Sequence, residues 1–285
     1  MESKDTIFST NPTLNLRGNL VELNPALVMG ILNLTPDSFY DGGHYSTRSE
    51  IESRVEKMLA EGADILDLGG YSTRPGASEI SEKEEMKRVL TGINFVVNKF
   101  PNAKISVDTF RSTVAEAAIK EGACMINDVS GGNLDHKMFN IVAKYNVPYV
   151  LMHMRGTPTT MKKLTEYEDL IGDIIKDLGK KVEKLESLNV KDIIIDPGFG
   201  FAKTIQQNFS LLKNLNLFKI FKLPILLGVS RKSMIYKTLG IPVESSLNGT
   251  SVLNTIGLMN GANILRVHDV KEAKELIKLH KAIYT

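Results

Sequence analysis

The sequence is poor in several features that would restrict its class at once. It contains one cysteine, Cys124, which excludes a disulfide within the chain and favours a reducing compartment such as the cytoplasm. We predict Cys124 to be a small buried strand residue, because buried cysteine usually packs as a small apolar side chain. No apolar run is long enough to cross a bilayer, and the first ten residues lack the pattern of a signal peptide.

Neither sign of charge is in excess. Lys and Arg together number 35 and Asp and Glu number 33, which gives a net charge of +2. This balance disfavours nucleic acid and membrane surfaces as partners. With 285 residues, 42% of them hydrophobic, the chain has the size and composition of a globular protein with one large domain or two small ones.

A repeating order of helix, Gly-Ala and apolar run is present along the chain. It is visible in "AEGADILDLGG", "KEGACMINDVSGG" and "MNGANILRVHDV", which begin at Ala60, Lys120 and Met259. In each copy the glycine can end a helix in the left-handed conformation. The apolar run that follows is typical of a parallel strand buried on both faces.

Eight such strands are predicted, and amphipathic helices alternate with them. The strands are expected at 27–34, 64–70, 104–109, 124–129, 148–153, 192–197, 224–230 and 263–268. This order favours an α/β fold, a closed (β/α)8 TIM barrel formed as a single domain by residues 27–285. An open doubly wound sheet is the alternative, although no GxGxxG follows the first strand. Residues 1–26 are an N-terminal extension, either a short hairpin that closes the barrel bottom or a loose arm.

Every predicted strand ends in a polar side chain. Such groups are costly to bury without a partner, and eight parallel strands bring them onto one ring at the C-terminal mouth of a barrel, where sites of this fold lie. Single members such as Asp128 and His153 are equally compatible with structural hydrogen bonds. The ring comprises Asn33, Asp67, Asp108, Asn127, Asp128, His153, Asp196, Ser230, Arg231, Lys232, Arg266 and His268.

Part of this ring suits a flat heterocycle. Asp108, Asn127 and Asp196 offer carboxylate and amide groups, and a carboxylate can accept from two N–H groups of an amino-pyrimidinone. The sequence contains no zinc-type His/Cys cluster, no nucleophile elbow and no Walker-type loop. The pattern therefore indicates binding of a heterocycle and does not indicate covalent catalysis.

The basic members of the ring suit an anion. Lys232, Arg266 and His268 supply positive charge and donors, and Arg74 follows the second strand. Together they match an anion as large as a pyrophosphate. We therefore expect a site that holds a heterocycle and stabilises a departing anion.

Eight segments in this order span most of the chain: "MGILNLTPDSFYDGG", "DLGGYSTRPGA", "ISVDTF", "INDVSGG", "VLMHMRGTPTTM", "IIIDPGFGFAK", "LLGVSRKSM" and "GANILRVHDV". In these segments the sequence resembles the dihydropteroate synthase family, from about residue 28 to 270. The resemblance implies a transferase of folate biosynthesis that joins 6-hydroxymethyl-7,8-dihydropterin pyrophosphate to 4-aminobenzoate. It also implies a TIM barrel, Mg²⁺, a homodimer and a target of sulfonamides.

The resemblance further implies roles for individual residues. Asn33 corresponds to the family's metal-binding asparagine, which holds Mg²⁺ together with the pyrophosphate. The pterin pocket would comprise Asp108, Asn127, Asp196 and Lys232. The pyrophosphate would be met by Thr73, Arg74, Arg266 and His268, which with Lys232 are the catalytic candidates. The walls of the aminobenzoate and sulfonamide site would comprise Pro75, Phe201 and Ser233.

Further expectations concern the loop after the first strand, two residues near the pocket and the loop after the second strand. We expect residues 35–43 to act as a lid hinged by Gly42 and Gly43, with Phe39 covering the second substrate. Met152 is expected to face the pocket. Ala202 stands where glycine is common in the family, and its methyl group would lie beside Phe201. The segment "YSTRPGASE" lacks the extra residues of sulfonamide-insensitive relatives, which favours inhibition by sulfonamides.

Three other functions remain open. A methyltransferase that uses a folate would share the pterin-reading aspartates and asparagine but would not need "STRPGA" or an Arg-x-His anchor. A non-catalytic homologue would keep the barrel and lose the loops, which are complete in this sequence. A phosphosugar barrel would have a glycine-rich loop after strands seven and eight, where this sequence is basic.

Overall fold

A closed barrel of parallel strands forms the body of the chain. The computed structural model describes residues 12–34, 47–71 and 79–284, apart from the side chains of residues 47 and 48. Strands β1 (Thr13–Leu16) and β2 (Asn19–Glu22) pair as an antiparallel hairpin. The barrel strands are β3 (Leu27–Asn33), β4 (Ile65–Gly69), β5 (Ile105–Asp108), β6 (Met125–Asp128), β7 (Tyr149–Met152), β8 (Ile193–Asp196), β9 (Leu226–Leu227) and β10 (Ile264–Val267).

The sheet order confirms the predicted fold class. The eight strands follow β8-β7-β6-β5-β4-β3-β10-β9, and each neighbouring pair is parallel. The strands at the two ends of this order, β8 and β9, are joined by a parallel bridge between Ile195 and Ile225. The Ile195 amide also donates to the Pro224 carbonyl at 2.8 Å. This closure excludes the open doubly wound sheet.

Helices cover the outside of the barrel. They are α1 (Thr47–Ala60), α2 (Glu82–Lys99), α3 (Ser112–Lys120), α4 (Met138–Tyr145), α5 (Leu170–Ser187), α6 (Ile205–Lys213), α7 (Ser233–Leu239), α8 (Leu247–Met259) and α9 (Val270–Tyr284). Several begin at side chains that accept from the first free backbone amides, as Ser81 does for α2 and Asp169 for α5. The sequence predicted one helix after each strand. The structure differs after β9, where two helices, α7 and α8, precede β10. Across the described ranges, no helix is both long and apolar enough to cross a membrane.

The strand β9 is much shorter than the predicted 224–230. Pro224 lacks an amide hydrogen and cannot donate to the neighbouring strand. Ile225 makes only the isolated bridge to Ile195, and its carbonyl accepts from the amides of both Asn263 and Ile264. The regular ladder therefore begins only at Leu226, and in the structure it ends at Leu227.

The hairpin β1-β2 closes the N-terminal end of the barrel. The sequence allowed either a hairpin or a loose arm for the N-terminal extension, and the structure shows the hairpin. Its buried leucines, with Leu23, pack against the lower inward-facing residues of the barrel strands. This cluster is Leu14, Leu16, Leu23, Leu27, Met29, Ile65, Cys124, Met125, Val150, Ile194, Leu226 and Ile264. Cys124 is buried in it, as predicted, and is a free thiol.

Candidate active site

The predicted pterin-pocket residues come from neighbouring strands and meet at the C-terminal mouth. Asp108 on β5 is the register partner of Asn127 on β6, and Asp196 on β8 is the partner of Met152 on β7. Side chains alternate across a strand, and these positions face the barrel interior. All four side chains are buried. The structure thus brings together three of the acceptors that the sequence assigned to a heterocycle.

Arg266 on β10 lies at the centre of the charge network. Its Nε donates to Asp67 Oδ2 at 2.7 Å, and a terminal nitrogen donates to Asp108 Oδ2 at 2.7 Å. Asn127 Nδ2 donates to the same Asp67 oxygen at 3.0 Å. Asp67 is completely buried and therefore fixes the positions of both Arg266 and Asn127. It ends β4 in the sequence pattern, but no role was predicted for it.

Burial sets the electrostatics of the acceptors. It raises the pKa of Asp108 to about 7, with the guanidinium of Arg266 acting in the opposite direction. Burial also raises the pKa of Asp196, against the attraction of Lys232. Carboxylates in such surroundings gain from a ligand that donates N–H groups, because the ligand replaces the water that burial removed.

Lys232 stands between the acceptors and an aromatic wall. Burial lowers the pKa of Lys232 to about 8, although Asp196 favours its charged form. Its Nζ donates to the Phe199 carbonyl and lies 4.7 Å from the centre of the Phe201 ring. Ser233, the next residue, begins α7 and is only partly exposed. This arrangement puts the predicted aminobenzoate residues Phe201 and Ser233 beside the predicted pterin residue Lys232.

A small apolar cluster lies next to this wall. Met152 and Ala202 are buried in it, and Phe201 packs against it from the pocket side. The expectation that Met152 faces the pocket region fits this packing. Ala202 has a φ of 48°, a left-handed conformation in which glycine is favoured. Its methyl group is accommodated in the cluster beside Phe201, as the sequence predicted.

The anion candidate His268 and the metal candidate Asn33 lie at the same mouth. His268 Nδ1 is 3.0 Å from Ser230 Oγ, and that hydroxyl accepts from the His268 amide at 3.1 Å. Asn33 ends β3, and a Cβ built on Gly69 would lie 3.7 Å from both Asn33 Oδ1 and Asp108 Cβ. The absence of a side chain at Gly69 therefore leaves the space between Asn33 and Asp108 open.

The residues Phe39, Thr73, Arg74 and Pro75 lie outside the described residues. The predictions made for them, and for the lid at 35–43, are not tested by the structure. They remain predictions from the sequence. The contacts described above come from the strands and from the loops after β8, β9 and β10.

Two members of the ring face away from the pocket. Asp128 accepts from the amides of Ser130 at 2.7 Å and Gly132 at 2.9 Å, and from the Tyr149 hydroxyl at 2.7 Å. It is the residue after the inward-facing Asn127, so the pleat turns it outward. His153 is buried against Lys203, with His153 Nδ1 at 3.1 Å from Nζ. Both therefore have structural hydrogen bonds, the alternative that the sequence left open for them.

The fit of Mg²⁺ depends on the kind of site. Among the residues that the structure describes, no three or more His, Cys, Asp or Glu side chains are grouped so that they could hold a metal ion. Mg²⁺ in phosphate-transfer sites keeps several waters and takes few protein ligands, together with substrate phosphates. The amide oxygen of Asn33 is a hard ligand that fits this second mode. The described residues thus fit a metal that binds together with an anionic substrate, and among them there is no protein cage for it.

Comparison with known proteins agrees with this geometry. Residues 29–268 match the family model described as pterin binding enzyme. A dihydropteroate synthase from Clostridium beijerinckii is 45% identical over 255 residues, 88% of this chain and 92% of the relative.

Solved structures share the fold over nearly the whole chain. The dihydropteroate synthase of Yersinia pestis in a sulfonamide drug complex has a TM-score of 0.90 and 37% identity, covering 96% of this chain and 99% of the other. The Xanthomonas albilineans enzyme with 4-aminobenzoic acid also has a TM-score of 0.90, with 35% identity over 97% and 99% of the two chains. The chain thus belongs to the pterin-binding enzymes and, within them, to the dihydropteroate synthase family of transferases.

Proposed function

We propose that the chain condenses 6-hydroxymethyl-7,8-dihydropterin pyrophosphate with 4-aminobenzoate, giving 7,8-dihydropteroate and pyrophosphate. The observation that carries this proposal is the buried set Asp108, Asn127 and Asp196 in the barrel mouth, where Arg266 binds Asp108 directly and is linked to Asn127 through Asp67. The bound 4-aminobenzoic acid of the Xanthomonas albilineans relative supports the second substrate.

The pterin ring would be recognised by its donors. An amino-pyrimidinone presents neighbouring N–H groups, and a carboxylate such as Asp196 can accept two of them. Asp196 is held ready by the Gly198 amide, which donates to its Oδ1 at 2.7 Å. Asn127 is fixed by the hydrogen bond that its Nδ2 donates to Asp67, which leaves its amide oxygen as the acceptor. Because hydrogen bonds within the protein already orient these acceptors, little reorganisation is needed when the pterin ring binds.

The departing pyrophosphate would be stabilised by the basic residues of the mouth. A guanidinium carries five N–H groups, and the contacts of Arg266 with Asp67 and Asp108 engage two of them. The remaining N–H groups of Arg266, with His268 and Arg74, are those that would meet the anion. Preorganised donors of this kind contribute about 3 kcal/mol each to transition-state stabilisation.

We also propose that Mg²⁺ takes part, held by Asn33 together with the substrate's phosphate oxygens. When bound, the metal neutralises negative charge that develops on the leaving group. The chain's own contribution is the amide oxygen of Asn33 at the end of β3. The amine of 4-aminobenzoate is neutral and nucleophilic at pH 7, so the proposal assigns no general base.

The decisive experiment is a pyrophosphate-release assay with the dihydropterin pyrophosphate and 4-aminobenzoate, with and without Mg²⁺. Release that needs both substrates, with dihydropteroate as product, is expected. Absence of release would contradict the proposal, and methyl transfer without release would favour a folate-dependent methyltransferase. Asn33→Ala should weaken the Mg²⁺-dependent release more than the thermal stability of the protein, and equal activity at saturating Mg²⁺ would remove Asn33 from the metal site.

Two further proposals concern inhibition and assembly. The sulfonamide bound to the Yersinia pestis relative supports inhibition of this chain by sulfonamides in competition with 4-aminobenzoate. Turnover that is insensitive to a sulfonamide in large excess over 4-aminobenzoate would exclude it. A homodimer is supported by the exposed apolar side chains Leu239 on α7 and Val252 and Met259 on α8. Light scattering after gel filtration would separate dimer from monomer.

A further inference from the structure

The loop between β8 and α6 folds around one buried ammonium group. Lys203 is only 8% exposed, although lysine is seldom buried. Its Nζ donates to the carbonyl oxygens of Gly198 at 2.9 Å and Phe201 at 3.1 Å. The third contact is to His153 Nδ1 at 3.1 Å, at the end of β7. Burial lowers the pKa of Lys203 to about 7, although Asp196 favours its charged form. In the charged form its three N–H groups meet three acceptors, two in the loop and one just after the neighbouring strand.

The histidine is an acceptor in this network. Burial and the nearby charge of Lys203 lower the pKa of His153 to about 2, so the ring is neutral. A neutral imidazole has one nitrogen that accepts, and the contact with the ammonium makes it Nδ1. The loop also presses closely on β7, since a Cβ built on Gly198 would lie 2.0 Å from the His153 carbonyl oxygen. The end of β7 and the loop after β8 are therefore held together at two points.

The same loop supplies contacts to the candidate site. The Gly198 amide orients Asp196, and the Phe199 carbonyl accepts from Lys232. The Phe201 ring stands 4.7 Å from Lys232 Nζ. Two of these residues, Gly198 and Phe201, are those whose carbonyl groups Lys203 holds. A change in the position of either carbonyl would move the backbone that carries the pocket groups.

We propose that Lys203 is a positioning residue, whose ammonium holds the β8–α6 loop in the conformation that places Phe201 and Lys232 for the second substrate. This rests on the proposed function for the identity of that substrate. Lys203 contacts His153 and the loop backbone, and it acts on the substrate only through Phe201 and Lys232. We expect a larger effect on 4-aminobenzoate than on the pterin, because Asp108 and Asn127 lie on strands that Lys203 does not contact. The pterin is still affected in part, since the same loop orients Asp196.

The main test replaces Lys203 by methionine, which keeps the length of the side chain and removes the donors. Lys203→Met should raise the KM for 4-aminobenzoate about tenfold, the scale of a lost charged hydrogen bond. The KM for the pterin substrate should rise by a smaller factor, because the loop also orients Asp196 through the Gly198 amide, whereas Asp108 and Asn127 are held by hydrogen bonds outside the loop. Lys203→Met removes the side-chain donor to the Phe201 carbonyl and one of the two donors to the Gly198 carbonyl, which also accepts from the Phe201 amide. His153→Leu therefore serves as a milder variant that removes one acceptor only. It should change the same KM in the same direction by a smaller factor.

A double-mutant cycle tests whether Lys203 acts through Phe201. Phe201→Ala and Lys203→Met should give non-additive effects on the KM for 4-aminobenzoate, because each removes the same wall of the site. Additive effects, or an unchanged KM in Lys203→Met, would overturn the proposal. Val96→Ala is the matched stability control, since Val96 is buried in α2 near the barrel bottom and far from the loop. A KM change in Val96→Ala as large as that in Lys203→Met would assign the effect to general destabilisation.

Hydrogen exchange provides a measurement that does not depend on substrate. In the unliganded protein, the amides of residues 198–203 should exchange about tenfold faster in Lys203→Met than in the wild type, while those of β3 to β6 keep their rates. Unchanged exchange in the loop would overturn the proposal even if the enzyme is active. If the wild type releases no pyrophosphate, the proposed function fails, and the exchange result still decides whether Lys203 orders the loop.

Discussion

The two ends of the barrel differ in chemistry although the same strands build both. At the N-terminal end most inward-facing side chains are apolar, with Ser106 as a polar exception, and the hairpin leucines cover them. At the C-terminal end most of the inward-facing side chains described above are acidic, basic or amide groups, with Met152 as an apolar exception, and several of them are joined by hydrogen bonds. Four strands change from apolar to polar between successive inward positions: Ile65 to Asp67, Met125 to Asn127, Ile194 to Asp196 and Ile264 to Arg266.

This difference shows how closely stability and function are placed. Successive inward positions are two residues apart, or about 6.6 Å along a strand. Below that step, burial of apolar side chains stabilises the fold. Above it, burial of charged groups is unfavourable unless they are paired, and the pairs of Arg266 with Asp67 and Asp108 limit that cost. The lower end can therefore be tested through unfolding and the upper end through turnover.

The largest effect is expected at the upper end. Arg266→Ala should lower the turnover number about a hundredfold, because it removes a donor that would meet the leaving anion. The change is measured by pyrophosphate release at saturating substrates. Arg266→Lys is the matched variant, since it keeps the charge and loses the planar fork that spans Asp67 and Asp108. A wild-type rate in Arg266→Ala would remove this residue from the site.

The lower end should respond in the opposite way. Leu16 is completely buried in the hairpin cluster. Leu16→Ala should reduce the free energy of unfolding by about 2–5 kcal/mol, through lost transfer energy and the cavity that remains. Urea unfolding measures this loss. Turnover per folded molecule should stay unchanged, and a large fall in kcat would show that the two ends are not separable.

A smaller effect concerns pH and again belongs to the upper end. Burial lowers the pKa of Lys232 to about 8, so its positive charge is lost above that pH. We expect kcat/KM to fall with pH above about 8, by up to tenfold per unit. Lys232→Arg should move this limb to higher pH, since a guanidinium remains charged. The same alkaline limb in both proteins would assign it to another group.

The expected fall in kcat/KM at alkaline pH is not caused by a loss of stability linked to Lys232. The lysine has a lower pKa in the folded chain than in the unfolded chain, where it is about 10.4. Between these values the unfolded chain binds more protons, so the contribution of Lys232 to the free energy of unfolding rises with pH. Activity and this part of the stability should therefore change in opposite directions, which urea unfolding at pH 7 and pH 9 can check.

The sequence predicted the barrel well because its signals are local. Gly-Ala followed by an apolar run marks the end of a helix and the start of a buried strand, and the polar residue two or three positions on marks the mouth. The length of β9 was predicted wrongly, because the apolar pattern does not show that Pro224 and Ile225 lack regular strand pairing. The cytoplasmic location and the roles assigned to the loops at 35–43 and 71–80 remain predictions.

The pairing of charges could not be predicted, because it depends on closure of the barrel. Arg266 is 199 residues from Asp67 and 158 from Asp108, and nothing near Arg266 in sequence indicates either partner. The sequence did place Asp67 on the polar ring, and the period-two pattern of β4, which points it inward, could have assigned it a role in the site. Lys203 gave a weaker signal, a lone lysine at the end of the apolar stretch "IIIDPGFGFAK". Its partners become visible only when β7 and the loop after β8 are side by side.

The smallest expected effect tests whether the hairpin stabilises the N-terminal end of the barrel by burying side chains or by pairing its strands. Leu20 lies in the same hairpin as Leu16, on β2, but is 75% exposed. Leu20→Ala should change the free energy of unfolding by less than about 0.5 kcal/mol, as is usual for exposed positions. Urea unfolding beside Leu16→Ala measures both in one protein. If the two substitutions destabilised the protein equally, the hairpin would act through its strand pairing, and the apolar lower end would not be the source of its stability.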